Sequence, residues 1–281
     1  MISACERWLS EGNNTTGGEA DQGIAERHRD LAEIRLVTGV EDFLDWLGEG
    51  RHCSPEGGLQ RKDIAPVAAM IGLSVKGTHT KHDDAGHRVD LPALDRLFDD
   101  DVSAPPRQHP VMSMWEVPEL TAWWQAMQAV GIFSRSGTRV LPDQGAELLR
   151  STDELEVLDI QQEFLAVFVE RFFAAEAEPF QRDDFFRSLA PPTIAAAAAE
   201  LVAALSREEG EQQPQPSVQQ HAGLFGLRAR MLLRRLADVG LLRGQESAYS
   251  VPPGLRQAIV QGVLMTRDGH LAEADEDDAE E

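Results

Sequence analysis

The stretch that most constrains this chain is Trp115 to Arg150, WEVPELTAWWQAMQAVGIFSRSGTRVLPDQGAELLR. Val117, Leu120, Trp123, Trp124, Met127 and Val130 recur at the spacing of one broad helical face. Gly131 then stops the helix, because glycine enters the left-handed conformation without a Cβ clash. Ile132-Phe133 opens a strand, Ser136-Gly137 turns it and Val140-Leu141 brings it back. Pro142 is expected at the first position of a second helix, where its missing N–H costs nothing. Helix, tight hairpin, helix is the ending of a winged-helix module.

Much the same ending recurs from Met231 to Val263. A shift of 109 positions lays Val130-Gly131-Ile132-Phe133 on Val239-Gly240-Leu241-Leu242, Val140 on Tyr249 and Gly145 on Gly254. Chance likeness between two common helix–hairpin units stands beside duplication as an explanation. Several short helical segments precede each hairpin, and strands alternating with crossover helices are not seen, which disfavours a doubly wound fold. The expected fold class is therefore mainly α, with two winged-helix-like modules and small β-hairpin wings.

Polarity and glycine content divide the rest. Residues 1–22 are expected to be mobile, 23–150 to form an N-terminal winged-helix-like domain, 151–265 a C-terminal helical and winged-helix-like domain, and 266–281 an acidic disordered tail. In the first domain, Ile24–Leu36 reads as a short amphipathic helix. Val40, Phe43, Leu44 and Leu47 mark a firmer one that Gly48 and Gly50 end. Leu59 is expected at a very short strand. A helix is expected from Lys62 to Ile71, with Pro66 tolerated near its start. Ser74–Arg88 reads as a polar loop, DLPALDRLF as a helix capped by Asp90, and Asp99–Pro110 as a linker. In the second domain, Leu155–Ala175 is a long apolar helix and Gln181–Leu189 a short one. Thr193 caps an Ala-rich helix, and Gly223–Val239 is a basic helix before the second hairpin. Pro252–Leu264 closes the fold.

The run FLDWLGEGRHCSPEGGLQRKDIAPVAAMIGL, then DLPALDRLF, then AWWQAMQAVGIFSRSGTRVLPDQGAELL, resembles a group of uncharacterised helical, winged-helix-like proteins from high-GC bacteria. The group's pattern is WxGxGRxLTxxGxL, a helix, an LPxL helix, then GLxRxxxxxLxPxxxG. The match runs over about residues 40–150 through Trp46, Gly48, Gly50, Arg51, Gly57 or Gly58, Leu59, Asp63, Leu91-Pro92 and Gly131. His52-Cys53-Ser54-Pro55 departs from the usual Leu-Thr segment. The resemblance implies the fold and brings no established activity.

Charge limits the partners. The formal net charge is −22, and seven carboxylates lie in Glu273–Glu281 alone (EADEDDAEE). Removing those seven leaves a strongly acidic chain that repels phosphate at long range. Cys5 and Cys53 stand apart, in no CxxC pair, so neither a disulfide framework nor a structural zinc site is expected. The apolar run Ile194–Leu205 is too short to span a bilayer and holds Glu200, and MISACERWLSEG has no signal-peptide pattern. A cytoplasmic location without membrane contact is expected.

Candidate chemistry is sparse. His79, His82 and His87 share a polar loop, but no helix is expected there to align them as zinc ligands. No GxSxG elbow, P-loop or GxGxxG fingerprint occurs. His52 and Cys53 are adjacent, so in a strand they face opposite ways. Neither a catalytic role, a cofactor nor a bound metal is expected.

Two surfaces remain as candidates. Trp123 and Trp124 lie on a helix without Arg or Lys and, with Arg135 and Arg139 on the wing, are the candidate partner surface. Arg228, Arg230, Arg234, Arg235 and Arg243 gather around the second module's helix and hairpin and are the candidate nucleic-acid contact. The leading expectation is a protein-interaction or assembly module, its partner another protein or a second copy as a homodimer. The alternative is a DNA-binding transcriptional regulator acting through the C-terminal arginines. The leading expectation loses most of its motivation if Trp123 and Trp124 are both buried, and the alternative fails if all five arginines pair with acids inside the fold.

Overall fold

The structure, a computed structural model, describes residues 17–78, 109–181, 190–205, 224–244 and 249–277. The expected helix at DLPALDRLF, the short helix after Gln181 and the loop carrying His79, His82 and His87 lie outside them. The chain is mainly helical. Among the described residues no helix is long and apolar enough to cross a membrane.

The first half runs α1 (Gly17–Ala32), α2 (Arg35–Leu47), β1 (Arg51–His52), α3 (Arg61–Met70), β2 (Val75–Gly77), β3 (His109–Val111), α4 (Pro118–Ala129), β4 (Phe133–Ser136), β5 (Arg139–Pro142) and α5 (Gln144–Leu148). The second half runs α6 (Glu154–Gln181), α7 (Ala190–Leu205), α8 (Leu224–Asp238) and α9 (Arg256–Asp277), with a 3-10 turn at Pro253–Leu255 before α9.

Several expected boundaries move for local reasons. Helical structure begins at Gly17, inside the segment expected to be mobile, and α9 continues to Asp277, well past Leu264. Ile34 is extended (φ −91°, ψ 120°), so Leu36 belongs to α2. Pro142 ends β5, and Asp143 caps α5 instead, its side chain accepting from the Gln144 N–H at 2.9 Å. α7 starts at Ala190, which places Thr193 inside its first turn. Pro66 lies in the interior of α3, not in its first turn. It leaves the Lys62 carbonyl without its helical donor, and Lys62 is exposed to solvent.

The sheet around the hairpin has a third member. β4 and β5 pair antiparallel, Arg135 opposite Val140 and Ser136 opposite Arg139. β1 adds to the other side of β5, with Arg51 opposite Val140 and His52 opposite Arg139. The strand order is thus β1-β5-β4. The strand expected at Leu59 does not form: β1 ends at His52, and Leu59 is buried with its N–H on the Met114 sulfur at 3.0 Å. β2 and β3 pair in parallel within segments that read as loop and linker.

One buried apolar cluster runs through both halves, from Leu31 to Val263, so the boundary at 150/151 does not separate two cores. α6 is its axis, packed on α4, α5, α7 and α9. Gly262 lets α9 lie close on α6: a Cβ there would stand 2.5 Å from the Ala166 carbonyl oxygen and 2.6 Å from the Val169 Cβ. α1, assigned by sequence to the first domain, packs chiefly on the Pro253–Leu255 turn of the second.

The 109-residue shift survives in the backbone. Gly131 and Gly240 both have positive φ, 71° and 90°. The N–H of Ile132 donates to Met127 O and that of Leu241 to Leu236 O, each 2.8–2.9 Å, so both helices close with the same glycine cap. Ser134 pairs with Leu141, and the shifted positions Arg243 and Ser250 form an isolated antiparallel bridge. Beyond the hairpin the two halves part. Gly145 donates to the Gly131 carbonyl, whereas Gly254 donates to the Asp30 carboxylate.

Candidate functional site

The structure splits both sets of sequence candidates between interior and surface. Trp123 and Trp124 are core residues, 0% and 2% exposed, and are no partner surface. Trp123 Nε1 donates to the Leu36 carbonyl at 2.9 Å, tying α4 to the start of α2. Trp124 packs on Phe133, with ring centroids 4.6 Å apart, and edge-on to Phe43 at 5.8 Å. Its Nε1 is buried without a hydrogen-bond partner. The cause lies in the environment of α4 as a whole. Glu119 to Trp124, Ala126 and Met127 are all buried, leaving Gln128 and Ala129 exposed.

The arginines of α8 divide by helix face. Arg228, Leu232, Arg235 and Val239 follow an inward stripe, while Arg230 and Arg234 lie on the exposed side. Arg235 is enclosed. Its guanidinium forks onto Glu119 of α4, Nε to Oε1 at 2.5 Å and Nη2 to Oε2 at 2.6 Å, and its Nη1 donates to Glu176 of α6. The Glu119 and Glu176 side chains are only 3% and 9% exposed. The Arg235 Cζ also lies 5.3 Å from the centre of the Phe172 ring. Burial by itself lowers the Arg235 pKa, but the charges and hydrogen bonds of Glu119 and Glu176 outweigh it and hold it above the ordinary arginine value. Arg228 reaches Glu176 at 3.7 Å. Burial holds its pKa below the usual arginine value, Glu176 opposing and Arg235 adding to the shift.

Arg243 is likewise committed to the fold. Its Nη2 donates to Asp30 at 3.2 Å and to Glu33 at 2.7 Å, both on or just after α1. The other oxygen of Asp30 accepts from the Gly254 N–H at 2.8 Å. Asp30 thereby holds α1 against the turn that opens α9. The expected basic patch of five arginines is therefore two latches, one at Arg235 with Arg228 beside it on Glu176 and one at Arg243, with Arg230 and Arg234 on the outer surface. Arg234 has an interaction partner of its own.

The wing keeps its candidates at the surface. Arg135 and Arg139 are exposed on β4 and β5, and Arg135 Nε donates to Gly137 O at 2.9 Å. Sequence reasoning missed a third arginine there. β1 brings Arg51 beside β5, where its Cζ lies 4.3 Å from the Trp46 ring centre and its Nε donates to the Trp46 carbonyl. A two-residue strand has no periodicity to detect. His52 faces solvent and Cys53 is buried, so the two do not form a thiol–imidazole pair. Among the described residues no group of three His, Cys, Asp or Glu is placed to hold a metal ion. Comparison with family models, with curated proteins and with solved structures finds no match for this chain.

Proposed function

We propose that this chain is a non-catalytic protein-interaction or assembly module on a winged-helix scaffold. The order α2–β1–α3–α4–β4–β5, with β1 joining the far side of β5, supports the scaffold in the first half. The likeness between the two hairpin registers supports a second, reduced copy of it. Burial of Trp123 and Trp124 removes the surface that first motivated this reading, and what supports it instead is that the same burial makes α4 unavailable to DNA. In a DNA-binding winged helix the helix before the wing enters the major groove, which requires an exposed face of donors and cations. Here only Gln128 and Ala129 of that helix are fully exposed, Pro118 and Gln125 are half-buried, and its one charged group, Glu119, is an anion clamped by Arg235. What remains for recognition is the wing and the outer faces of the bundle, on a chain of net charge −22.

A second reading, a DNA-binding regulator, keeps one observation in its favour. Arg230 and Arg234 stand four residues apart on the exposed face of α8. Fluorescence anisotropy of a labelled mixed-sequence duplex, titrated with the full chain across a salt series, separates the two. Flat titrations at low salt support the interaction module. Tight binding with a steep salt slope that shrinks when Arg230 and Arg234 become Ala makes the chain a DNA-binding protein.

A further inference from the structure

We infer that the wing is the receiving face of a head-to-tail contact between two copies of this chain, its occupant being the acidic run Glu273–Glu281 of the second copy. The inference rests on the protein-interaction reading and names its partner. Three exposed arginines, Arg51, Arg135 and Arg139, surround the wing. They are held in place by local packing. The Arg135 guanidinium lies over Gly57, where a Cβ would collide with it, and Arg139 Nη2 stands 3.3 Å from the Cβ position of Gly50. Arg51 rests on the Trp46 ring. Among the described residues none of the three forms an ion pair, although the chain carries 48 acidic groups against 26 basic ones. A guanidinium fork matches a carboxylate in two parallel hydrogen bonds, so a carboxylate-dense peptide suits this face.

The acidic run supplies that chemistry, with seven carboxylates in nine residues. Helix direction decides which copy supplies it. Gly254 lies against Arg27 and Asp30 of α1, and His28 of the same helix lies 3.9 Å from Glu154 at the start of α6. Gly262 then meets Ala166 and Val169, so α9 runs in the same direction as α6. α4 runs the other way. Its start shares Arg235 with Glu176 near the far end of α6, and its end leads into β4 and then α5 beside the start of α6. The wing and the end of α9 therefore lie toward opposite ends of α6, whose 28 residues span about 42 Å. The run begins at Glu273 on α9, toward the end of that helix away from the wing, so a neighbouring copy provides it.

Because the two patches differ, the contact is heterologous and repeats into rings or filaments.

Sedimentation velocity on the full chain tests this at about 50 mM and about 500 mM salt, where screening differs most for exposed charges. One variant carries Arg135→Ala and Arg139→Ala; the other has the seven carboxylates of Glu273–Glu281 replaced by Asn or Gln. The parent is expected to associate at low salt and dissociate at high salt. Each variant alone is expected to be monomeric, association being at least about tenfold weaker. An equimolar mixture is expected to form a dimer and nothing larger, since it retains one intact junction per pair. Association by either variant alone, a mixture that stays monomeric, or a parent that is monomeric throughout overturns the inference. Capture of a labelled duplex through Arg135 and Arg139 overturns it in favour of phosphate. A monomeric parent that also ignores DNA leaves the broader interaction reading standing without this contact.

Discussion

Replacing Arg235 by Met removes the cation that α4 and α6 share and leaves its stem to be filled by an apolar chain of similar length. The loss follows from what stays behind. Glu119 and Glu176 remain buried, with side chains 3% and 9% exposed, and Glu119 has lost its bidentate partner. Removing one member of a buried ion pair costs about 3–5 kcal/mol, because the other charge is left uncompensated. Arg228, 3.7 Å from Glu176, offsets part of this, so a loss of about 3 kcal/mol is expected. Urea unfolding followed by tryptophan fluorescence reads it directly, since Trp123 and Trp124 are buried. With a slope of about 3 kcal/mol per molar, the midpoint falls by about 1 M. Adding Glu119→Gln is expected to recover about 1 kcal/mol of the loss, the two sites being coupled. A midpoint shift below about 0.3 M, or a double variant whose loss is the sum of the two, refutes the argument that this pair is buried and mutually dependent. The pH dependence has a definite sign. A group whose pKa is raised on folding keeps its stabilisation below its unfolded pKa, here the ordinary arginine value, and loses it only as pH climbs through the folded value. The midpoint difference between parent and Arg235→Met is therefore the same at about pH 7 and about pH 9.5.

Other consequences are more local. Asp30→Ala removes acceptors from both Gly254 N–H and Arg243, and is expected to cost about 2–4 kcal/mol and to speed amide exchange across 249–255, read by mass spectrometry. Gly262→Ala places a methyl group against Ala166 and Val169, with an expected cost of about 1–3 kcal/mol in urea unfolding, whereas Gly137→Ala meets open space and pays only the strain of its φ of 60°, about 1 kcal/mol. Trp123→Phe removes the indole donor that ties α4 to the Leu36 carbonyl and is expected to cost about 1 kcal/mol more than Trp124→Phe, whose indole N–H has no partner to lose; equal losses contradict the hydrogen-bond assignment.

What the sequence made legible is local chemistry. Gly131 and Gly240 announced two helix ends, and the structure gives both the same cap. Ser136-Gly137 announced the hairpin tip, and Val40, Phe43, Leu44 and Leu47 the buried face of α2. What stayed hidden depends on partners far away in the chain. α4 reads as amphipathic because it carries Glu119, Thr121 and Gln125, yet Glu119 is buried through an arginine 116 positions on. Nor does anything within α1 indicate that Asp30 will receive Gly254, 224 positions away. One signal was present and unused. Counting from Leu232 and Val239, the helical period places Arg228 and Arg235 on the inward stripe and Arg230 and Arg234 outside. Grouping the arginines by proximity in sequence instead of by face turned two latches into an apparent patch.

The interior position of α4 carries the functional reading, and native-state amide hydrogen exchange tests it most directly. Leu120 to Met127 lie in the packed core between α2, the wing and α6, so their amides open only with global unfolding. Protection across these residues is expected to match the slowest amides of α6 and to fall with them in urea. Exchange through local opening, at a free energy several kcal/mol below the global value, would mean that α4 has an accessible face. A helix available to enter a groove would then stand where the structure places the core, and the DNA-binding reading would take precedence.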